Sequence, residues 1–180
     1  MKKFLLTLLC AAGLATASNA AVSELYTVQF GPKYNSEGVS AYNKSWSVTC
    51  DGTQWNIANF NNNNNGWEFI KCGSTKGDYV GTITSDAALP EKISSVVVTI
   101  GSVKTDYLNS IKLSVADNSA FTNAVVVEAP KADIKAGDLK FTVAAPAADM
   151  YYKLSFDCKT SQKNGVVQVN KVVFSGEAGE

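Results

Sequence analysis

The stretch Asn61-Asn62-Asn63-Asn64-Asn65-Gly66-Trp67 places more ligand-reading chemistry together than any other in the chain. An indole offers a flat face to the C–H side of a sugar ring, and fixed amides hydrogen-bond the ring's hydroxyls. Trp67 beside Asn61, Asn62, Asn63, Asn64 and Asn65 supplies both, and Tyr34, Asn35, Tyr42 and Asn43 add a second aromatic and amide set. The same residues also have a purely structural reading. Asparagine accepts left-handed backbone angles and bonds its own chain, so such a run suits a connector. Trp67, Phe69 and Lys71 share one strand parity, while Glu68, Ile70 and Cys72 share the other. Both sets mix apolar and charged residues, so the pattern leaves open whether Trp67 faces a core or water.

Two other chemistries are open to residues of this chain. Calcium needs several oxygen ligands. Asp51, Asp78 and Asp86 lie in or near turns, but no Asp-x-Asp spacing occurs. A structural calcium is thus the one cofactor left open, and no other is expected. Glycoside hydrolysis needs two carboxylates at a set separation. Sixteen acids guarantee accidental pairs, so Glu68, in the aromatic-rich segment, is the acid to test. Histidine is absent, which removes the usual zinc ligand, the usual neutral-pH base and every Ser-His-Asp arrangement. Arginine is absent too and the net charge is zero, so a nucleic-acid surface is not expected.

The first twenty residues read as a secretory signal peptide. Lys2 and Lys3 precede an apolar run from Phe4 to Ala17, and Ser18-Asn19-Ala20 places small residues at the cleavage positions. Cys10 lies mid-run behind Leu9, where lipid attachment wants a small residue. No later apolar stretch is long enough to span a membrane, so the expectation is a secreted, periplasmic or cell-surface chain with residues 21–180 as one domain. That compartment makes a disulfide plausible. Three cysteines remain, Cys50, Cys72 and Cys158, so one is left over. The preferred pair is Cys72 with Cys158, each ending an apolar strand; the alternative is three buried thiols acting as small hydrophobes.

The elements that must position these residues are strands. No apolar i, i+3, i+4, i+7 pattern persists after the leader, whereas short β-branched and aromatic runs recur between Gly, Asn, Asp and Pro. Eleven are expected: Tyr26–Phe30, Lys44–Cys50, Thr53–Ala58, Trp67–Cys72, Tyr79–Thr84, Ser94–Gly101, Ser110–Ala116, Ala124–Glu128, Asp138–Ala144, Tyr151–Cys158 and Val166–Ser175. Asp51-Gly52 predicts a two-residue hairpin turn pairing Val48 with Trp55 and Trp46 with Ile57. Leu89-Pro90-Glu91-Lys92 reads as one helical turn. So many short strands at this spacing predict an all-β fold, a jelly-roll-like β-sandwich of two antiparallel sheets.

The order Ile93–Val98, Asn109–Val115, Asp138–Val143, Tyr151–Phe156 and Val167–Phe174 resembles the galactose-binding-like jelly roll of discoidin-type and carbohydrate-binding modules. In that family a Tyr-Tyr strand is followed by a last strand lying beside the first. The N-terminal half, with its Trp-bearing hairpin and NNNNNGWEFIKCG, looks like a domain of secreted proteins of Bacteroides-like bacteria. The resemblance implies the fold and no particular site, because sugar-binding members often use arginine or histidine, which this chain lacks. The resulting expectation is a non-catalytic domain binding an extracellular glycan through the Asn61–Trp67 loop edge. The alternatives are a structural or adhesive domain with a cell-envelope protein partner and, third, a glycan-active enzyme.

Overall fold

The computed structural model describes residues 22–35, 38–64 and 66–177. Residues 1–21, 36–37, 65 and 178–180 lie outside that set, and with them the expected leader and Asn65. Twelve strands form: β1 (Ser23–Val28), β2 (Ser45–Cys50), β3 (Thr53–Ala58), β4 (Phe60–Asn61), β5 (Ile70–Cys72), β6 (Tyr79–Ser85), β7 (Lys92–Val103), β8 (Leu108–Ala116), β9 (Val125–Glu128), β10 (Gly137–Thr142), β11 (Tyr151–Cys158) and β12 (Val167–Glu177). They make two six-stranded antiparallel sheets. The first runs β10-β7-β12-β5-β4, with β1 also on β12; the second runs β2-β3-β6-β11-β8-β9. The last strand does lie beside the first.

Alternation decides what faces inward. In β11, Tyr152, Leu154, Phe156 and Cys158 are buried and the residues between them are not. Strand β12 answers from the opposite sheet with Val167, Val169, Val172 and Phe174. The aromatic rings join the sheets. Trp55 of β3 stacks on Phe174 of β12 at 4.7 Å, and Tyr152 of β11 meets the same Phe174 edge-on at 5.7 Å. At the other end Phe60 of β4 meets Phe156 of β11 edge-on at 5.4 Å. Gly81 makes room there: a Cβ on it would sit 2.7 Å from the Phe60 ring and 2.9 Å from Cys72 Cβ.

The hairpin has the register that the turn demands, with Val48 opposite Trp55 and Trp46 opposite Ile57. Asp51 and Gly52 both take positive φ, 50° and 77°. Two expectations need correction. The turn at Leu89-Pro90-Glu91-Lys92 is not helical: Leu89 bridges to Met150 and Lys92 already begins β7. Pairing with Met150 satisfies Leu89's backbone and buries its side chain, which a free turn would not. The segment after the asparagines becomes a strand only at Ile70, because β12 offers partners only to Ile70, Lys71 and Cys72.

Cys72 of the first sheet and Cys158 of the second are fully buried with their sulfurs 3.4 Å apart, and both are thiols. Burial, and then its neighbour Cys158, pushes the Cys72 thiol well above its ordinary value. Cys50 lies apart, its Sγ bonded to the Gln29 backbone. Refolding residues 21–180 with a low-molecular-weight disulfide as oxidant is expected to leave one titratable thiol per denatured chain, Cys50, and to raise Tm by about 5–15 °C over the reduced protein. Three titratable thiols would contradict the pairing. Independently, Trp55→Ala is expected to cost about 3–5 kcal/mol in urea unfolding because it empties the inter-sheet contact.

Candidate functional site

The asparagine run divides by position. Asn61 and Asn62 are buried, and their amides are spent on the chain itself. Asn61 Nδ2 donates to Ser40 O at 2.5 Å, and its Oδ1 accepts from Asn63 N–H at 2.5 Å. Asn62 Oδ1 accepts from Val39 N–H at 2.5 Å, while Asn62 N–H donates to Val39 O at 2.9 Å. These two residues clamp the 38–40 loop and are withdrawn from the ligand set. Asn63 and Asn64 are exposed with φ of 51° and 53°, and Gly66 N–H closes the turn on Asn63 O. Asn65 falls outside the described residues. A sequence read without contacts cannot separate asparagines that clamp from asparagines that face water.

Trp67 belongs to neither sandwich core nor open solvent. It is half-buried, lies outside the core cluster, and stacks on Phe69 at 4.8 Å with 23° between rings. Lys71 Nζ lies 4.8 Å from the Trp67 ring centroid and 5.1 Å from that of Phe69. Lys71 faces the outer side of the first sheet, because Ile70 and Cys72 on either side of it point inward, and its contacts with both rings bring Trp67 and Phe69 to that side. Gly31 lies beneath: with φ of 108° and 3.0 Å from its Cβ position to Trp67 O, it fits only as glycine. The other tryptophans are accounted for. Trp55 is core, and half-buried Trp46 packs at the core's edge and donates from Nε1 to Phe60 O at 3.0 Å.

Beside this aromatic pair the outer face carries a cleft of about 610 Å³ lined by Gln29, Phe30, Pro32, Lys33, Tyr34, Glu68, Thr99, Asn170 and Lys171. Tyr34 donates its hydroxyl to Gln29 Oε1, and Lys33 Nζ lies 5.1 Å from its ring centroid. A bulge in β12 shapes the floor. Val169 pairs with Ile100 and Lys171 with Thr99, so Asn170 is the extra residue and two consecutive polar side chains reach the cleft. Gln168 Nε2 donates to Asn170 Oδ1 at 2.9 Å, and Gln168 pairs across β5 with Lys71. Cleft and aromatic pair are therefore continuous through Glu68 on one side and Asn170–Gln168–Lys71 on the other.

Of the sequence candidates, Tyr34 and Trp67 come to this face. Tyr42 does not: it lines a separate cleft of about 240 Å³ with Asn43, Ser74, Lys76, Tyr79 and Asn164. Burial raises its phenol pKa. Gln29, Thr99, Gln168, Asn170 and Lys171 were missed. The outward parity of Thr99 in β7 and Gln168 in β12 was legible, but Asn170 and Lys171 share the face only through the bulge, and the cleft depends on how the 29–34 loop, which carries Gln29, folds back.

Two of the turn acids have local roles. Asp78 Oδ1 accepts from the Thr160 N–H and hydroxyl, both at 2.6 Å, which holds its carboxyl below the ordinary range. Asp86 Oδ1 accepts from Asn56 Nδ2 at 2.8 Å. Among the described residues no three His, Cys, Asp or Glu side chains converge as a metal site would require. No helix among them is long and apolar enough to cross a membrane.

Fold and face together define an all-β, jelly-roll-like sandwich with a polar, aromatic-rimmed cleft on one sheet. No family model and no curated protein matches the chain. Solved structures of the exo-β-1,3-galactanase Pc1,3Gal43A from Phanerochaete chrysosporium show a loose likeness. The one with galactose is 13% identical over 82% of this chain with a TM-score of 0.34. One with β-1,3-galactotriose is 13% identical over 86% with a TM-score of 0.33. This chain spans 29% of that enzyme's length. A likeness of this size adds nothing to the functional argument.

Asn62→Ala is expected to cost about 1–3 kcal/mol in urea unfolding, because it strands the Val39 N–H. Asn64→Gly on the exposed turn, which keeps the left-handed backbone, is expected to cost well under that, and equal losses would contradict the clamp.

Proposed function

We propose that the chain is a secreted, non-catalytic domain that binds a glycan on the outer face of its first sheet. The supporting observation is the continuity of the cleft with the Trp67–Phe69 pair. One face joins half-buried rings to fixed amides and a hydroxyl: Gln29, Asn170, Gln168 and Thr99. Rings contribute apolar area and amides fix orientation, the division of labour expected at a sugar site. Trp67 keeps the role that its sequence context gave it, but its polar partners are those of β7 and β12 and not Asn61 and Asn62. Glu68 lines the cleft and Asp138 stands at its margin on the Thr99 hydroxyl, and in this reading both serve the face as polar groups and neither as a hydrolytic acid.

A polysaccharide pull-down followed by titration tests this reading. A retained glycan is expected, with Kd raised about tenfold or more by Trp67→Ala, equivalent to about 1.4 kcal/mol. Glu68→Gln is expected to leave no turnover to lose. No retention across neutral and acidic polysaccharides, or binding indifferent to Trp67→Ala, would overturn it.

Protein association is a second reading, favoured by one feature. Val125 and Val126 are exposed at 64% and 53% on β9, the edge strand of the second sheet. A second copy adding to that edge predicts a dimer in sedimentation that Val126→Lys abolishes; a monomer at all concentrations would exclude it.

A further inference from the structure

We infer that the glycan taken by this face is acidic, carrying a carboxylate or sulfate group that the face's lysines hold. The inference rests on the glycan-binding reading and narrows its ligand class. Overall the chain is charge-balanced, with sixteen basic and sixteen acidic residues. The outer face of the first sheet is not balanced. Lys33 and Lys171 line the cleft. Lys71 lies over the aromatic pair. Two more lysines gather behind it. Lys104 Nζ donates to Lys163 O at 3.1 Å and Asn164 O at 3.3 Å, anchoring the turn that leads to Gly165. The Cβ position of Gly165 is 3.1 Å from Lys71 Cδ, so that turn brings Lys104 and Lys163 to Lys71. Partial burial, and then the charges of Lys163 and Lys71, depress the Lys104 pKa.

The acids nearby do not neutralise this set. Glu68 lines the cleft, and Asp138 at its margin accepts the Thr99 hydroxyl at 2.7 Å. Among the described residues the lysines of this face form no ion pair, while Lys112 and Glu128 pair at 3.1 Å on the second sheet. Like charges gathered without counter-charges repel one another, and an arriving anion relieves that repulsion. Lysine suits the task. Its ammonium is a compact charge on a flexible stem and needs no fixed bidentate geometry. Stacking on Trp67 and Phe69 would then select a sugar ring as the carrier of the charge.

Affinity electrophoresis of the folded chain with four polysaccharides and polyphosphate tests the inference. Polygalacturonate supplies carboxylates, and its fully methyl-esterified form is the neutral counterpart. Carrageenan supplies sulfate esters, and agarose is its neutral counterpart. Binding at least about tenfold tighter to either acidic polymer than to its counterpart is expected, and which pair shows the gap identifies the group. The double variant Lys71→Gln, Lys171→Gln should lose that gap, whereas Trp67→Ala should weaken acidic and neutral binding alike. Circular dichroism of each variant checks its fold. Equal binding of acidic and neutral polymers would overturn this inference and leave glycan binding standing. Polyphosphate binding as tightly as polygalacturonate would overturn it in favour of a general polyanion surface. Failure of all four polysaccharides would remove both readings.

Discussion

The structure depends on the contact between Trp55 and Phe174. One ring belongs to the second sheet and the other to the first, and they stack at the sandwich centre with Tyr152 and Tyr26 edge-on around them. Two sheets that share such a cluster are fixed in spacing and register. A one-residue slip of β12 would send Phe174 to water and bring Ser175 inward, so the cluster also fixes which residues of β12 face out. The Phe60–Phe156 contact and the adjoining Cys72 and Cys158 repeat the arrangement at the far end.

The outer face follows from that constraint. With Val169 and Val172 held inward, the residues between them must be accommodated outside. The extra residue in β12 puts Asn170 and Lys171 there together. The short β5 pairs with the same strand and carries Lys71 to the same side, with Phe69 and Trp67 preceding it. Gly31 lets the 29–34 loop pass close under Trp67 and form the cleft's other wall. Polar groups from four separate segments thus meet on a surface that no local stretch of sequence describes.

Much of the fold was legible. Asp51-Gly52 set a hairpin register that the packing of Trp55 and Ile57 then used, and short β-branched and aromatic runs marked every strand except β4, although the run at Trp67–Cys72 lacked clean alternation and pairs only from Ile70. Strand β4 is two residues long and exists only because β5 pairs with it, so it leaves no periodic trace. The candidate site was legible only in part. Residue type alone points to Trp67 and Tyr34, which the fold brings to one face. Asn61 and Asn62 differ from the exposed Asn63 and Asn64 only in their partners, because clamping a loop and reading a ligand use the same amide chemistry. Asn170 and Lys171 depended on a bulge, which shifts parity without a mark in composition. The leader expected from Lys2 to Ala20 lies outside the described residues.

The central claim is that ligands meet the outer face of the first sheet while the core stays sealed. A ¹H–¹⁵N correlation spectrum titrated with an oligogalacturonide tests it most directly. Three indole N–H signals report three environments: Trp55 in the core, Trp46 bonded to Phe60 O, and Trp67 stacked on Phe69. The account predicts that the Trp67 indole moves with the backbone amides of Gln168 to Lys171, while those of Trp46 and Trp55 stay still. Shifts centred instead on the Tyr42–Tyr79 cleft or on β9, with the Trp67 indole unmoved at saturation, would contradict it.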